Sequence, residues 1–337
     1  MRARRLVSPA PYQMTVEEYQ LDDAIPAGGV VLRARATAVS AGTEIANYRG
    51  ITRYRSASQG NPYYPGYSFA GEVVAVAPDV TDWRPGDRVC GHLPHASHVL
   101  VKNPARLVRV PEGVSDPQAA MTTLGSIVLN AVHLARIQLG ESVAVVGAGL
   151  IGQLAAQLAR LEGGRPVVSQ DFISRRRELA RSCGAHAAID PAAPNVREAL
   201  AELAPDGFAV VFEATGNNKA VNSAIKLAGR GGRVILLGST RGTVDDFDPY
   251  TDVHLKGVTI IGAHITTTPP VATLQNPWTE DANRRVLLNL MRDGELDVES
   301  LISHRVVPSA AGEIYAGLER APEEFLGVIF DWTSEGE

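Results

Sequence analysis

A chain of 337 residues with 45% hydrophobic and 20% charged positions is long enough for about two domains and apolar enough to bury their cores, which excludes wholesale disorder. Its 32 lysines and arginines against 37 aspartates and glutamates leave a net charge of −5, a balance that argues against nucleic acid as a partner. Two isolated cysteines, Cys90 and Cys183, give no disulfide framework, and neither a signal-peptide core nor a run of ~18 apolar residues is present, so a soluble, cytoplasmic protein with no membrane partner is expected.

In chain order, residues 30–111 form short alternating or apolar runs broken by glycine and proline, the pattern of a strand-rich domain. From residue 116 a helical stretch to about Gly140 opens a series in which strands alternate with helices, as expected of a parallel sheet covered on both faces. From residue 268 the pattern changes again to a proline-bearing loop, a helix beginning near Asn283 and a terminal strand ending near Trp332. The expected class is α/β: a β-rich domain of residues 1–115, to which 268–337 return, and a doubly wound domain of residues 116–267.

The run Gly147, Ala148, Gly149, Leu150, Ile151, Gly152 follows the apolar segment 143–146 and opens a helix. Glycines at this spacing permit a tight turn, approach of the backbone to a pyrophosphate and close packing of helix on strand, while the helix N-terminus offers N–H donors. Asp171 ends the next strand, where a carboxylate can accept both ribose hydroxyls, a feature that favours NAD over NADP. Arg175, Arg176 and Arg177 follow closely and supply the alternative of a 2′-phosphate site.

Several ordered segments together resemble the medium-chain dehydrogenase/reductase, or alcohol dehydrogenase, superfamily. They are Ala41-Gly42-Thr43-Glu44 with Tyr48-Arg49-Gly50, Pro65-Gly66-Tyr67-Ser68 with Gly71-Glu72-Val73, Gly86-Asp87-Arg88-Val89, the glycine motif, Asp171 with Arg176, and Ser303-His304-Arg305. The resemblance implies a GroES-like domain followed by a Rossmann domain. It also implies that Ala214, Thr215, Gly216, Gly238, Ser239 and His264 complete the cofactor site, and that the protein pairs as a homodimer through the strand around residues 255–265.

In zinc members of that superfamily, a cysteine and a histidine hold the catalytic metal where this chain has Ala41 and Tyr67. A further acidic ligand aligns with Thr123, and Ser68 stands where those members carry glutamate. Alanine and an ordinary tyrosine lack the donors zinc prefers, so no zinc is expected. The cluster of cysteines that holds a structural zinc is reduced to Cys90. His92, His95 and His98 have a spacing that invites a metal reading but does not favour one face of a strand. The combination of residues is most similar to the zinc-free branch containing the bacteriochlorophyllide hydroxyethyl dehydrogenases.

Without the metal, a donor must neutralise the charge that develops on a substrate oxygen. Thr43 matches the relay hydroxyl, Tyr67 offers a phenol in the histidine's place, and Glu44 is expected either to pair with an arginine or to act as a base. Ser40, Tyr48, Arg49, Ser68, His92 and Thr123 are candidates to line a pocket for a small-molecule substrate, with Arg53, Tyr54, Arg55, Tyr63 and Tyr64 at its rim. The expected activity is zinc-independent, NAD-dependent interconversion of a secondary alcohol and a ketone on a polar or specialised-metabolite substrate. Reduction of an activated C=C bond and a non-catalytic dinucleotide sensor are the alternatives.

Overall fold

The computed structural model describes residues 1–22, 24–51 and 62–334. The chain folds into two compact units, Met1–Leu124 with Arg284–Glu337, and Gly125–Asn283. The first junction falls within the helix Thr122–Ala135 and the second lies beyond residue 267. Helix packing draws the proline-bearing loop into the second unit: Asn130 donates to Thr267 Oγ1 at 3.0 Å, and the His133 and Trp278 rings stack at 4.2 Å.

The first unit begins with an antiparallel pair, β1 (Arg2–Val7) and β2 (Thr15–Gln20). Then come β3 (Val30–Ala38), α1 (Ala41–Tyr48), β4 (Phe69–Val76), β5 (Arg88–Gly91), β6 (His98–Val101), β7 (Val108–Arg109) and α2 (Asp116–Ala120). A longer helix, α3 (Thr122–Ala135), leads into the second unit.

That second unit alternates strand and helix: β8 (Val143–Val146), α4 (Leu150–Leu161), β9 (Val167–Gln170), α5 (Ser174–Ser182), β10 (Ala187–Ile189), α6 (Val196–Leu203), β11 (Phe208–Glu213), α7 (Asn218–Leu227), β12 (Ala228–Leu236) and β13 (Thr259–Gly262). The chain then returns through α8 (Glu280–Arg292), β14 (Ile302–Val306), α9 (Ala311–Arg320) and β15 (Gly327–Asp331).

Strands of the second unit lie in the order β10-β9-β8-β11-β12-β13, and every neighbouring pair is parallel. This is a doubly wound sheet whose order reverses at β8. β8 and β9 are buried along their whole length, as strands covered on both faces must be, and this is why β8 reads as an unbroken apolar run. β13 is one of its two edges, with Ile260 38% exposed.

The sheet of the first unit runs β14-β15-β3-β4-β5-β7, with β6 also paired to β3. It is antiparallel apart from the β14–β15 pair. Its core gathers Leu32, Phe69, Val89, Tyr315 and Phe330, so the terminal segment supplies two strands and two of the largest core side chains. The expected GroES-like and Rossmann architectures are both present. No helix among the described residues is long and apolar enough to cross a membrane.

Candidate active site

At the carboxyl end of β8 the chain turns sharply. Gly147 has φ +92°, and a Cβ there would lie 2.6 Å from Thr215 Cγ2. A Cβ on Gly152 would meet the Gly147 carbonyl oxygen at 1.8 Å, so α4 can sit this close to the turn only without a side chain there. Around Gly149, by contrast, a Cβ would meet nothing within 4 Å. It is the N-cap of α4 and has no side chain to cap the helix, so the first turn with Leu150 and Ile151 offers its N–H groups outward. Open space before uncapped donors fits a pyrophosphate.

Asp171 follows β9 directly. Its carboxylate accepts the Ala148 N–H at 2.8 Å and the Ile173 N–H at 2.9 Å, and the Arg176 guanidinium lies 3.9 Å away. Arg177 is engaged elsewhere, donating to the Asp171 and Phe172 carbonyls at 2.8 Å and pairing with Asp190 at 3.3 Å. Arg175 is exposed. On the other side of β8, Thr215 and Gly216 give their N–H groups to Glu213, Gly238 packs against Gly216, and His264 follows β13 with its ring accepting the Thr266 N–H. These segments, with Ala214 and Ser239, sit at the carboxyl ends of β11, β12 and β13, where open α/β sheets bind dinucleotides.

The second cluster is built of hydroxyls. The Tyr67 hydroxyl donates to Ser40 Oγ and also hydrogen-bonds the side chain of Thr43. Ser40 is the N-cap of α1, yet its hydroxyl does not cap the helix. Instead Glu44 Oε1 reaches back to the Ser40 N–H at 2.8 Å, which leaves the serine hydroxyl to the tyrosine. Burial raises the Tyr67 phenol above its ordinary range; the hydrogen bonds with Ser40 and Thr43 lower it, the negative charge of Glu44 raises it, and the net direction is up. The phenol therefore keeps its proton at neutral pH and can donate a hydrogen bond.

Beneath this cluster Glu44 is fully buried. Its Oε2 lies 3.2 Å from His95 Nε2 and accepts the Tyr315 hydroxyl. Burial opposes its charge, but the electrostatic interaction with His95 and the hydrogen bonds with His95, Tyr315 and the Ser40 N–H outweigh it, so the carboxyl is held below the usual glutamate range. The partner is a histidine and not the arginine expected from the sequence. With no exposed surface, Glu44 is also poorly placed to meet a substrate as a base. His95 in turn fixes the segment carrying Tyr67: its N–H donates to Pro65 O at 3.1 Å, and Gly66, at φ +96°, abuts it so closely that a Cβ would lie 2.5 Å from His95 N.

These residues do not fit zinc. Ala41 has no donor, the Tyr67 oxygen is engaged by two hydroxyls, and no three His, Cys, Asp or Glu residues are grouped for a metal among the described residues. The three histidines diverge: His92 is exposed and stacked on Tyr67 at 5.3 Å, His95 is buried on Glu44, and His98 lies on β6 beside Ser97. Cys90 is buried within β5.

Comparison with known proteins bears on both clusters. The family model for an alcohol dehydrogenase GroES-like domain matches residues 26–107, and that for a zinc-binding dehydrogenase matches residues 151–281, in the order of the two units. The chain belongs to the medium-chain dehydrogenase/reductase superfamily. It is 27% identical to the D-guloside 3-dehydrogenase of Escherichia coli (strain K12), over 97% of this chain and all of that protein. It is 28% identical to the 2-desacetyl-2-hydroxyethyl bacteriochlorophyllide A dehydrogenase of Cereibacter sphaeroides, over 99% of each chain. A solved zinc-binding-type dehydrogenase from Sinorhizobium meliloti 1021, bound to NADP, superposes with a TM-score of 0.81 at 24% identity, covering 98% of this chain and 99% of that one.

As a medium-chain dehydrogenase/reductase the protein is an oxidoreductase of a dinucleotide-dependent family. The structure brings Ser40, Thr43, Tyr67 and His92 together and disperses the other pocket candidates. Tyr48 is buried, its ring beside Tyr315 and its hydroxyl donating to Tyr12 O at 2.9 Å; Arg49 pairs with Glu319 on α9. Thr123 is buried and bonds Gly91 O at 3.4 Å, and Ser68 is buried with no partner for its hydroxyl among the described residues. Among the rim residues, Tyr63 forms a bridge with Ser8 and Tyr64 lies under Arg5 at 3.9 Å, while Arg53, Tyr54 and Arg55 fall outside the described residues. The roles of His95 and Tyr315 had no sequence signal beyond one histidine in a series of three, because their shared partner Glu44 is 51 and 271 residues away.

Proposed function

We propose that the protein is a zinc-independent, NAD(H)-dependent oxidoreductase that interconverts a secondary alcohol and a ketone on a polar or specialised-metabolite substrate. The observation that carries this reading is the Tyr67 hydroxyl, held by Ser40 and Thr43 at the position where zinc members place a metal-binding histidine. A nicotinamide cofactor, when bound, would supply or take the hydride. In ketone reduction Tyr67, protonated at neutral pH, gives its proton to the substrate oxygen as negative charge develops on it and is reprotonated through Thr43; alcohol oxidation runs the same path in reverse. Glu44 holds Ser40 in place through its N–H and is itself held by His95 and Tyr315, so it acts on the tyrosine from beneath.

Asp171, at the end of β9, supports NAD over NADP because a 2′-phosphate there would face a carboxylate. The polar substrate class draws on the likeness to an enzyme named for a guloside. The protein is further proposed to be a homodimer, the exposed edge β13 pairing with its copy, because an unpaired strand edge with Ile260 38% exposed needs cover. A monomer at micromolar concentration in sedimentation would overturn the dimer.

The test of the reaction is hydride exchange from stereospecifically deuterated NADH to panels of hydroxyketones and enones. Deuterium on a carbinol carbon supports the proposal. Turnover of enones alone moves the chemistry to a C=C bond, and tight NADH binding with no exchange on any substrate points to a sensor.

A further inference from the structure

The last residue of β11, Glu213, is fully buried, and among the described residues no lysine, arginine or histidine pairs with it. Such a carboxylate is tolerated only where donors saturate it. They come from two loops. Oε1 accepts the Thr215 N–H at 2.7 Å, the Gly216 N–H at 3.2 Å and the Thr215 hydroxyl, and Oε2 accepts the Thr240 hydroxyl at 3.1 Å. The Glu213 carbonyl takes the N–H groups of Leu237 at 3.0 Å and Gly238 at 2.7 Å. One residue thus ties the turn after β11 to the turn after β12.

The fit leaves no slack. A Cβ on Gly238 would lie 2.7 Å from Glu213 Oε2 and 2.3 Å from Gly216 N, and Thr215 also borders Gly147 at the phosphate turn. In a doubly wound sheet that reverses at β8, an adenosine placed at Asp171 after β9 leaves the second nucleotide to the strand ends on the other side, those of β11 and β12.

We propose that Glu213 is a positioning residue for the nicotinamide half of the dinucleotide, holding the two loops at the spacing that half requires; the proposal rests on the cofactor reading above. A glutamine keeps its oxygen toward Thr215 and Gly216 only by turning its NH₂ to Thr240, whose hydroxyl must then accept instead of donate, and it carries no charge to strengthen the remaining bonds.

The test uses the full-length protein and two probes, NADH titrated by its own fluorescence and AMP titrated calorimetrically. Glu213→Gln is expected to weaken NADH about tenfold, the scale of a lost charge-assisted hydrogen bond, with AMP changed less than about twofold. General loosening of the fold would move both probes together, so the ratio isolates positioning. Thr240→Val, which removes only the Oε2 partner, should shift NADH in the same direction by about threefold, and Thr240→Ser should restore it; this pair carries the test if Glu213→Gln does not fold. An unchanged NADH to AMP ratio in the variants, with wild-type NADH binding intact, overturns the positioning role alone. Failure of the wild type to bind either NADH or NADPH overturns the cofactor reading and the proposal with it.

Discussion

At the end of β8 the residues offered to a pyrophosphate are six consecutive positions, Gly147 to Gly152, whereas the cluster around Tyr67 draws on segments separated by 27, 51 and 271 residues. The first is backbone chemistry: what matters is where a Cβ is missing and where N–H groups have no cap. The second is side-chain chemistry, in which each hydroxyl has its direction set by another group. At the backbone site Gly147 and Gly152 leave no room for an added atom, whereas the side-chain site depends on single polar atoms.

The largest effect should therefore come from adding atoms to the first region. Gly152→Val places a side chain where even a Cβ would sit 1.8 Å from the Gly147 carbonyl, so NADH binding should weaken on the order of 100-fold or more, with a lower unfolding midpoint in urea. Calorimetric titration checks it, and near wild-type affinity would mean the turn yields more easily than its packing implies.

Removing one oxygen from the second region should come next. Tyr67→Phe should lower kcat by about 10²-fold, the scale of one oxyanion-type donor, and affect KM much less. Thr43→Val should act in the same direction, less than additively with it if both serve one proton path. Full kcat in Tyr67→Phe would make the tyrosine a packing residue.

A smaller change is expected at Asp171. Asp171→Ala should reduce the preference for NAD over NADP by about tenfold, as measured by the ratio of dissociation constants. Because Asp171 also accepts the Ala148 and Ile173 N–H groups, part of the loss should fall on both cofactors.

Glu44 sharpens the contrast through pH. Its carboxyl binds a proton less readily in the folded protein than an ordinary glutamate does, so unfolding takes up a proton as the pH falls below the ordinary glutamate value. The stability it contributes is complete above that value and is lost as the pH drops through its lowered folded value. Urea midpoints should fall more steeply below about pH 5 in the wild type than in Glu44→Gln, and parallel curves would remove Glu44 from the pH response. The smallest effect is none at all: prolonged chelation should leave activity unchanged and purified protein should hold far less than one zinc per chain, since Ala41 and Tyr67 supply no ligand set.

The sequence by itself determined what is local. A glycine pattern between an apolar strand and a helix, with an acid after the following strand, specifies a dinucleotide turn because backbone geometry depends on neighbouring residues only. The order of motifs likewise carried both domain types. Only the tertiary structure decided which side chains meet. Glu44 could have paired with any cation, and folding gave it His95 and Tyr315. Tyr48, Arg49 and Thr123 flank the same motifs yet point into the core, toward α9 and onto a backbone carbonyl. The physical reason is range: a buried polar atom must find a partner somewhere in the fold, and a linear pattern shows that the partner is required without showing where in the chain it lies.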